Sequence, residues 1–473
     1  MSKHPNILFF FTDDQRYNTI HALGCSEIHT PNLDAFTADS ITFTQAHIMG
    51  GTCGAVCMPS RAMLLTGRDL FSLKGHGKQN GSVIPPEHLT IPEYLRKNGY
   101  YTEHIGKWHQ DRAAFMRAYD NAERIMGFAA KDHWYGMNGG HYQPFLFDFD
   151  PTGEFACEKA YNLDEQHNKV PSLERKGAVH STDIFCDAAV DFIENYDKDQ
   201  PFYLYLATVA PHDPRNAPPE FAERYSSEQI STPDNYMPRH PFDNGELYAR
   251  DEMLEAFPRT PAAIRRHLAD YYAMISHIDA RFGDVIDALK RKGLYDDTII
   301  VFSGDNGLAL GSHGLMGKQN MYEDTIRVPL IIKPAGTHQR RQVSSYCYLF
   351  DVFPTICEMC GLSVPESVTG TSLLPVLAGN RDSIRDEIFS AYRNVQRALK
   401  DPRYKIIQYT VGGLIRFQLF DLLNDPYEMN DLSRDPAHEE ILCNMRQRLE
   451  QAQQYYHDPL LEYDSDILAL DIW

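Results

Sequence analysis

Two acidic pairs close two similar apolar runs. Residues 6–12 (Asn-Ile-Leu-Phe-Phe-Phe-Thr) stop at Asp13-Asp14, and residues 298–303 (Thr-Ile-Ile-Val-Phe-Ser) stop at Gly304-Asp305-Asn306-Gly307. Asp13, Asp14, Asp305 and the amide carbonyl of Asn306 are hard oxygen donors, suited to Ca²⁺ or Mg²⁺ rather than to Zn²⁺. Either pair alone reads more simply as a strand-end turn. Two pairs at the ends of two such runs shift that balance, because three carboxylates held close together repel one another unless a cation offsets them.

A second group of residues is Cys57-Met58-Pro59-Ser60-Arg61, which runs on through Ala62-Met63-Leu64-Leu65-Thr66-Gly67-Arg68. Pro59 fits a helix's first turn, so Cys57 stands at a helix N-terminus, where the dipole favours negative charge on a nucleophile or a bound anion. Arg61, one turn further on, can hold a nucleophile or an oxyanion by charge-assisted hydrogen bonds. A lone cysteine before a helix is more often structural, so spacing alone leaves Cys57 a candidate. Gly106-Lys107-Trp108-His109 and Ala210-Pro211-His212 follow two further apolar runs, at 100–105 and 202–209. By base rate each of the 20 histidines is a surface or capping residue, and His109 and His212 stand apart by their strand-end position. Lys74, His76 and Lys78 read as a solvated loop. Trp134 and Tyr135 fit core packing at least as well as stacking on a sugar ring.

The elements that must position these groups alternate. Buried apolar runs are strands of a mainly parallel sheet, and helical segments lie between them. Thr30-Pro31 and Thr260-Pro261 each supply an N-cap and a first-turn proline. The second begins a long helix with the apolar stripe Ile264, Leu268, Tyr271, Ile275, Ile278, Phe282, Val285 and Leu289, stopping near Gly293. Such a stripe is more simply one helix against a sheet than a coiled coil. Open sheets of this kind bind ligands outside the carboxyl ends of their strands. Towards the C-terminus, 404–407 and 416–420 read as strands and 437–456 as one amphipathic helix. The expectation is an α/β fold with a large, mainly parallel mixed sheet flanked by helices over 1–375. A smaller α+β subdomain, with a short antiparallel sheet and a helix, follows over 376–473.

Composition narrows the partners. The chain has 473 residues, 43% hydrophobic and 23% charged, with 45 Lys and Arg against 65 Asp and Glu, a formal charge of −20. That balance argues against nucleic acid and against anionic lipid, both of which call for a basic footprint. No apolar run reaches the roughly 20 residues of a membrane span. The apolar stretch near the N-terminus is too short for a signal peptide, so the chain reads as cytoplasmic as it stands, or as periplasmic or secreted if a leader was removed. The nine cysteines are odd in number and scattered, which speaks against a disulfide framework, and Cys357 and Cys360 read as buried helix cysteines rather than a redox pair.

Cys-x-Pro-Ser-Arg with Leu-Thr-Gly-Arg resembles the signature of type I sulfatases, in the alkaline-phosphatase-like superfamily. The resemblance continues, in order, through Gly106-Lys107-Trp108-His109, Pro211-His212, Gly304-Asp305-Asn306-Gly307, Gly314-Leu315-Met316-Gly317-Lys318 and Ile326-Arg327-Val328-Pro329. It extends to Leu419-Phe420-Asp421-Leu422, Asp425-Pro426 and Glu428-Met429-Asn430-Asp431-Leu432. It implies that Cys57 is converted after translation to formylglycine by a formylglycine-generating enzyme. It also implies that Asp13, Asp14, Asp305 and Asn306 hold a divalent cation, usually Ca²⁺. By the same resemblance Arg61 steadies the formylglycine hydrate that attacks sulfur, and Lys107 and Lys318 bracket the sulfate. His212 protonates the leaving oxygen, and His109 deprotonates the remaining hydroxyl to expel sulfate. His313 and Gln319 are further candidates for substrate contact.

The activity this resemblance implies is hydrolysis of a sulfate monoester, with a small sulfated sugar of glycosaminoglycan type as substrate. The acidic balance favours short, lightly charged fragments over long polysulfated chains. A phosphonate or phosphate ester hydrolase of the same superfamily, and an unmodified paralogue that only binds sulfated ligands, are the competing readings. Met58 at the variable signature position and Cys53 near Cys57 are the small departures from the family pattern.

Overall fold

A computed structural model describes residues 4–73, 76–77, 81–127, 133–136, 146–147 and 178–462. Lys74 and Lys78 lie outside them, as do the side chains of His76, Trp134 and Tyr135. The apolar runs are strands of one nine-stranded sheet. Its order is Arg341–Tyr348, Ile41–His47, Leu330–Lys333, Thr298–Gly304, Asn6–Thr12, Phe202–Ala207, Tyr101–Lys107, Asn121–Met126 and Leu146–Phe147. The five strands from Thr298–Gly304 to Asn121–Met126 run parallel. Leu330–Lys333 and Leu146–Phe147 pair antiparallel to their neighbours, which makes the sheet mixed. The strand Asn6–Thr12 is apolar on both faces because both are covered. Ile7, Phe9 and Phe11 belong to one core cluster, while Leu8 and Phe10 belong to another.

The long helix is Pro261–Arg291. Thr260 Oγ1 accepts from Ala263 N at 3.2 Å, and the whole predicted stripe is buried. The half from Ile278 to Leu289 faces the sheet, with Phe282 against Phe10 and Phe302, while Ile264, Leu268, Tyr271 and Ile275 pack with Leu308, Leu310 and Met316, so a single packed helix is what forms. Thr30 behaves differently. Its hydroxyl does not cap the helix Pro31–Ala38; it accepts from His21 N and donates to Asp34 Oδ1, tying down the preceding turn instead. Cys357 lies in the helix Val352–Met359 and Cys360 just past it, both buried and free.

The second sheet is larger than the sequence indicated. Ile388–Tyr392, Gln396–Lys400, Tyr404–Val411 and Leu414–Asp421 form an antiparallel meander, covered by the helix Glu439–Tyr455. The expected strands at 404–407 and 416–420 both run longer, meeting at Gly412-Gly413. The divide read at 375/376 falls inside the short helix Leu374–Leu377, and one continuous apolar cluster joins Phe9 and Phe11 to Phe389, Leu399 and Leu449. The two sheets are also stitched through the backbone, because Gly50–Gly51 pairs parallel with Ala391 and Tyr392. Gly50 has φ +107°, and a Cβ there would overlap the Ala391 carbonyl, so this close approach requires glycine. Among the described residues, no helix is long and apolar enough to cross a membrane.

Candidate active site

Parallel strands deliver their ends to one edge of the sheet, and the predicted groups gather there. Asp13 and Asp14 follow the central strand Asn6–Thr12, and Asp305 and Asn306 follow its neighbour Thr298–Gly304, paired in register from Asn6–Thr298 to Thr12–Gly304. Asp14 N donates to Asp305 Oδ1 at 3.0 Å, and Asn306 Nδ2 donates to Asp14 Oδ1 at 2.7 Å. Asp14 adopts φ +62°, a left-handed conformation that a non-glycine residue holds only when its surroundings enforce it.

The helix Cys57–Thr66 starts at this edge, with Cys57 in its first turn. Its Ser60 Oγ donates to Asp305 O at 2.5 Å, and Arg61 Nε donates to Asp305 Oδ2 at 2.8 Å, which locks the helix to the acidic pair. Arg61 Nη1 reaches the Lys107 carbonyl at 3.3 Å. Lys107 closes the strand Tyr101–Lys107, whose register shifts at Gly106, and its Nζ pairs with Asp13 Oδ2. Gly106 has φ +94°, and a Cβ there would overlap the Ala207 carbonyl, so the bulge that aims Lys107 needs glycine. Lys318 Nζ donates to Asp14 Oδ1 at 2.6 Å.

These groups surround one sulfur. Cys57 Sγ lies 3.4 Å from His109 Nδ1, 3.8 Å from Lys107 Nζ and 4.0 Å from Lys318 Nζ. His212 stands beside Asp14, with Nε2 3.7 Å from Asp14 Oδ2. Its Nδ1 donates to the Asp213 carbonyl at 2.8 Å, which leaves Nε2 as the atom facing the cluster. Gln319 and His313 are placed differently. Gln319 Nε2 donates to Gly54 O at 2.8 Å and to Asp251 Oδ2 at 2.7 Å, while its Oε1 accepts from Lys318 N, so it braces the Lys318 segment against the Cys57 loop. The His313 ring stacks on Tyr322 with centroids 3.7 Å apart and meets Asn235 Nδ2 at 3.2 Å, neither of them part of the Cys57 cluster.

Burial sets the electrostatics. It pushes the Cys57 thiol up to about 12, against the pull of Lys107 and Lys318, so a plain thiol here is neutral and weakly nucleophilic at pH 7. Burial, then Lys107, drives His109 well below the ordinary histidine range, which keeps it neutral at pH 7. Burial opposes charge on Asp13 and Lys318, yet Lys107 holds Asp13 well below the usual carboxylate range and Asp14 holds Lys318 well above the usual lysine range. Burial and the neighbouring Asp13 raise Asp305.

A cation fits this donor set. Asp13 Oδ1 and Asn306 Oδ1 are buried with no hydrogen-bond partner among the described residues, and both are hard oxygens. Asp13, Cys57 and Asp305 each offer an atom within 4.8 Å of the others'. Reading by strand ends missed several contributors. Ser60 is one. Gln15, buried with both amide atoms unpartnered among the described residues, is another. His133, whose Nε2 donates to the His212 carbonyl at 2.9 Å, and the pair Asp213 and Asp251 complete the set. Gln15 and Asp213 were adjacent to predicted residues; His133 and Asp251 carried no local signal.

Residues 5–362 match the family described as sulfatase, and residues 311–455 match the C-terminal region of N-sulphoglucosamine sulphohydrolase. An N-acetylglucosamine-6-O-sulfatase of Bacteroides thetaiotaomicron is 27% identical, over 97% of this chain and 88% of its own length. A solved structure in complex with D-glucosamine-2-N,6-O-disulfate superposes with a TM-score of 0.72 at 23% identity, covering 96% of this chain and 98% of that one. The phosphonate monoester hydrolase of Agrobacterium radiobacter shares the fold as well, with a TM-score of 0.72 at 20% identity and 97% coverage of both chains. The chain therefore belongs to the sulfatase family and is a sulfuric ester hydrolase.

Proposed function

We propose that this enzyme hydrolyses a sulfate monoester on a carbohydrate, of glycosaminoglycan mono- or oligosaccharide type. The working group is a formylglycine made from Cys57 by a formylglycine-generating enzyme. The observation that carries the reading is the placement of the Cys57 sulfur, buried between two lysines and a neutral histidine beside a carboxylate set with oxygens to spare. A sugar substrate draws support from the relative named for N-acetylglucosamine 6-sulfate and from the neighbour solved with a sulfated glucosamine.

The formylglycine hydrate supplies one hydroxyl to attack sulfur and a second whose deprotonation releases sulfate. A divalent cation held by Asp13, Asp14, Asp305 and Asn306, Ca²⁺ by the donor chemistry, supplies Lewis acidity. Arg61 steadies the side chain at position 57, while Lys107 and Lys318 take the sulfate oxygens, where transition-state charge spreads. His212 Nε2 gives its proton to the leaving sugar oxygen, a step that matters because an unactivated alkoxide leaves poorly. His109, neutral and close to position 57, takes the proton that ends the cycle.

Two measurements test this. Matched sulfate and phosphate or phosphonate monoesters of one alcohol should show higher kcat/KM for the sulfate; a clear preference for the phosphorus ester overturns the reading in favour of a phosphonate or phosphate ester hydrolase. Mass spectrometry of the Cys57 peptide from the native host should show the aldehyde, and a wholly unmodified thiol there would leave only the ligand-binding reading.

A further inference from the structure

Arg250 ties together two carboxylates that adjoin the site. Its Nη1 donates to Asp213 Oδ1 at 3.0 Å and to Asp251 Oδ1 at 2.6 Å, and its Nη2 donates to Asp213 Oδ2. Asp213 follows His212 directly. Asp251 accepts from Gln319, which follows Lys318 directly. The guanidinium is thus tied on one side to the residue beside the proton donor and on the other to the strut beside a sulfate-binding lysine. Both carboxylates are nearly buried, at 11% and 6% side-chain exposure, whereas the Arg250 side chain is 58% exposed. They use the end of the fork. The Nε–H and the second Nη2–H, which share the other edge, have no partner among the described residues.

That edge is a planar pair of donors, the geometry Arg uses to grip two oxygens at once. Its charge setting decides which oxygens. The two carboxylates offset the guanidinium charge, with Arg215 also acting on Asp213 and Lys318 on Asp251. A second sulfate or a uronate carboxylate would therefore find the Arg250 charge already compensated, while hydroxyl oxygens need only its donors.

We propose that Arg250 is a specificity-determining residue whose free Nε–Nη2 edge holds neighbouring hydroxyl oxygens of an uncharged part of the sugar, beyond the leaving oxygen. The substrate class is a sugar bearing a single sulfate and no second anion near that group. This rests on the reading of Cys57, Lys318 and His212 given above.

The test compares kcat/KM of the matured wild type, Arg250→Gln and Arg250→Lys on monosulfated hexoses and hexosamines, including N-acetylglucosamine 6-sulfate. The same variants are run on 4-nitrophenyl sulfate, which lacks sugar hydroxyls, and on glucosamine disulfates. The ratio of best monosulfated sugar to aryl sulfate should fall at least about tenfold in Arg250→Gln, the loss expected when a charged donor leaves hydroxyl acceptors unpaired. Arg250→Lys should not restore it, because a point charge lacks the fork. Thermal melts check that the variants are folded. A ratio unchanged within about twofold overturns the proposal, as does a wild type that prefers disulfates and loses that preference in Arg250→Gln. Failure of the matured wild type on every sulfate ester is a different result: it removes the sulfatase reading, and this inference with it.

Discussion

The cluster around Glu323 and the cluster around Cys57 both combine carboxylates, lysines and a histidine, and they finish their bonding differently. Glu323 sits where the two sheets meet. Its Oε2 pairs with Lys400 Nζ at 2.6 Å and its Oε1 with Lys405 Nζ at 3.1 Å, while Lys405 also reaches Glu428 Oε1 at 2.6 Å. Lys400 goes on to Gln45 Oε1 and to His47 Nε2, both on the strand Ile41–His47 of the large sheet. Every Glu323 oxygen has a cation. Around Cys57, by contrast, Asp13 Oδ1, Asn306 Oδ1 and Arg61 Nη2 are buried with nothing to bond among the described residues. The Glu323 carboxylate spends both oxygens on fixed lysines, and Glu428 Oε1 beside it meets Lys405 only as an ion pair, whereas the Cys57 cluster keeps three buried polar atoms in reserve.

The comparison can be broken at either end. Cys57→Ala should lower kcat/KM for any sulfate ester by at least about a thousandfold, the scale of losing a covalent nucleophile, with a melting temperature near that of the wild type. Substantial residual turnover would remove Cys57 from the chemistry. Glu323→Ala should do the reverse. It strands Lys400 and Lys405 in the interior and should cost about 3–5 kcal/mol of stability in denaturant titration, the range for breaking a buried pair. A variant as stable as the wild type would show that the sheet–sheet cluster is not the staple described.

The smallest effect is a pH dependence. Burial, then Lys400, moves His47 from 6.5 down to about 4, and its Nδ1 donates to Gln45 O at 2.9 Å in the neutral form. The folded value lies below the unfolded one. The stability this contributes is therefore complete above pH 6.5 and lost as pH falls through 4. The span corresponds to roughly 3 kcal/mol, because each tenfold change in proton affinity is worth about 1.4 kcal/mol. Melting temperatures from pH 7 to pH 4.5 should decline less steeply for His47→Gln than for the wild type, and parallel slopes would assign the acid sensitivity elsewhere.

Much of the candidate site was legible because each of its residues sits at the end of a strongly patterned element. The apolar run before Asp13-Asp14, the one before Asp305-Asn306 and Pro59 in the first helical turn are local signals, and parallel pairing carries them to one edge. The first two strands of the second sheet were not legible. Gln396–Lys400 reads Gln-Arg-Ala-Leu-Lys and is nonetheless fully buried, because Arg397 meets Asp458, Lys400 meets Glu323 and Gln396 donates to the Asn244 and Gln319 carbonyls. Partners that far away leave no trace in a hydrophobic pattern. The bonds of Gln319, a candidate substrate contact, run likewise to distant partners, Gly54 and Asp251, that no sequence pattern marks.

The sequence by itself determined the α/β alternation, the strand-end carboxylates and the ordered motifs that identify a sulfatase. All of these are local in the chain, set by side-chain periodicity and by the preferences of proline, glycine and acidic residues at element ends. Only the tertiary structure decided which oxygens are spent and which are spare. It placed Lys107 and Lys318 about the Cys57 sulfur, took His313 to Tyr322, and bound Arg250 to Asp213 and Asp251 with half its fork free among the described residues. Pairing of buried charge acts through space over a few ångströms, between residues tens to hundreds of positions apart, so only the folded chain can assign it.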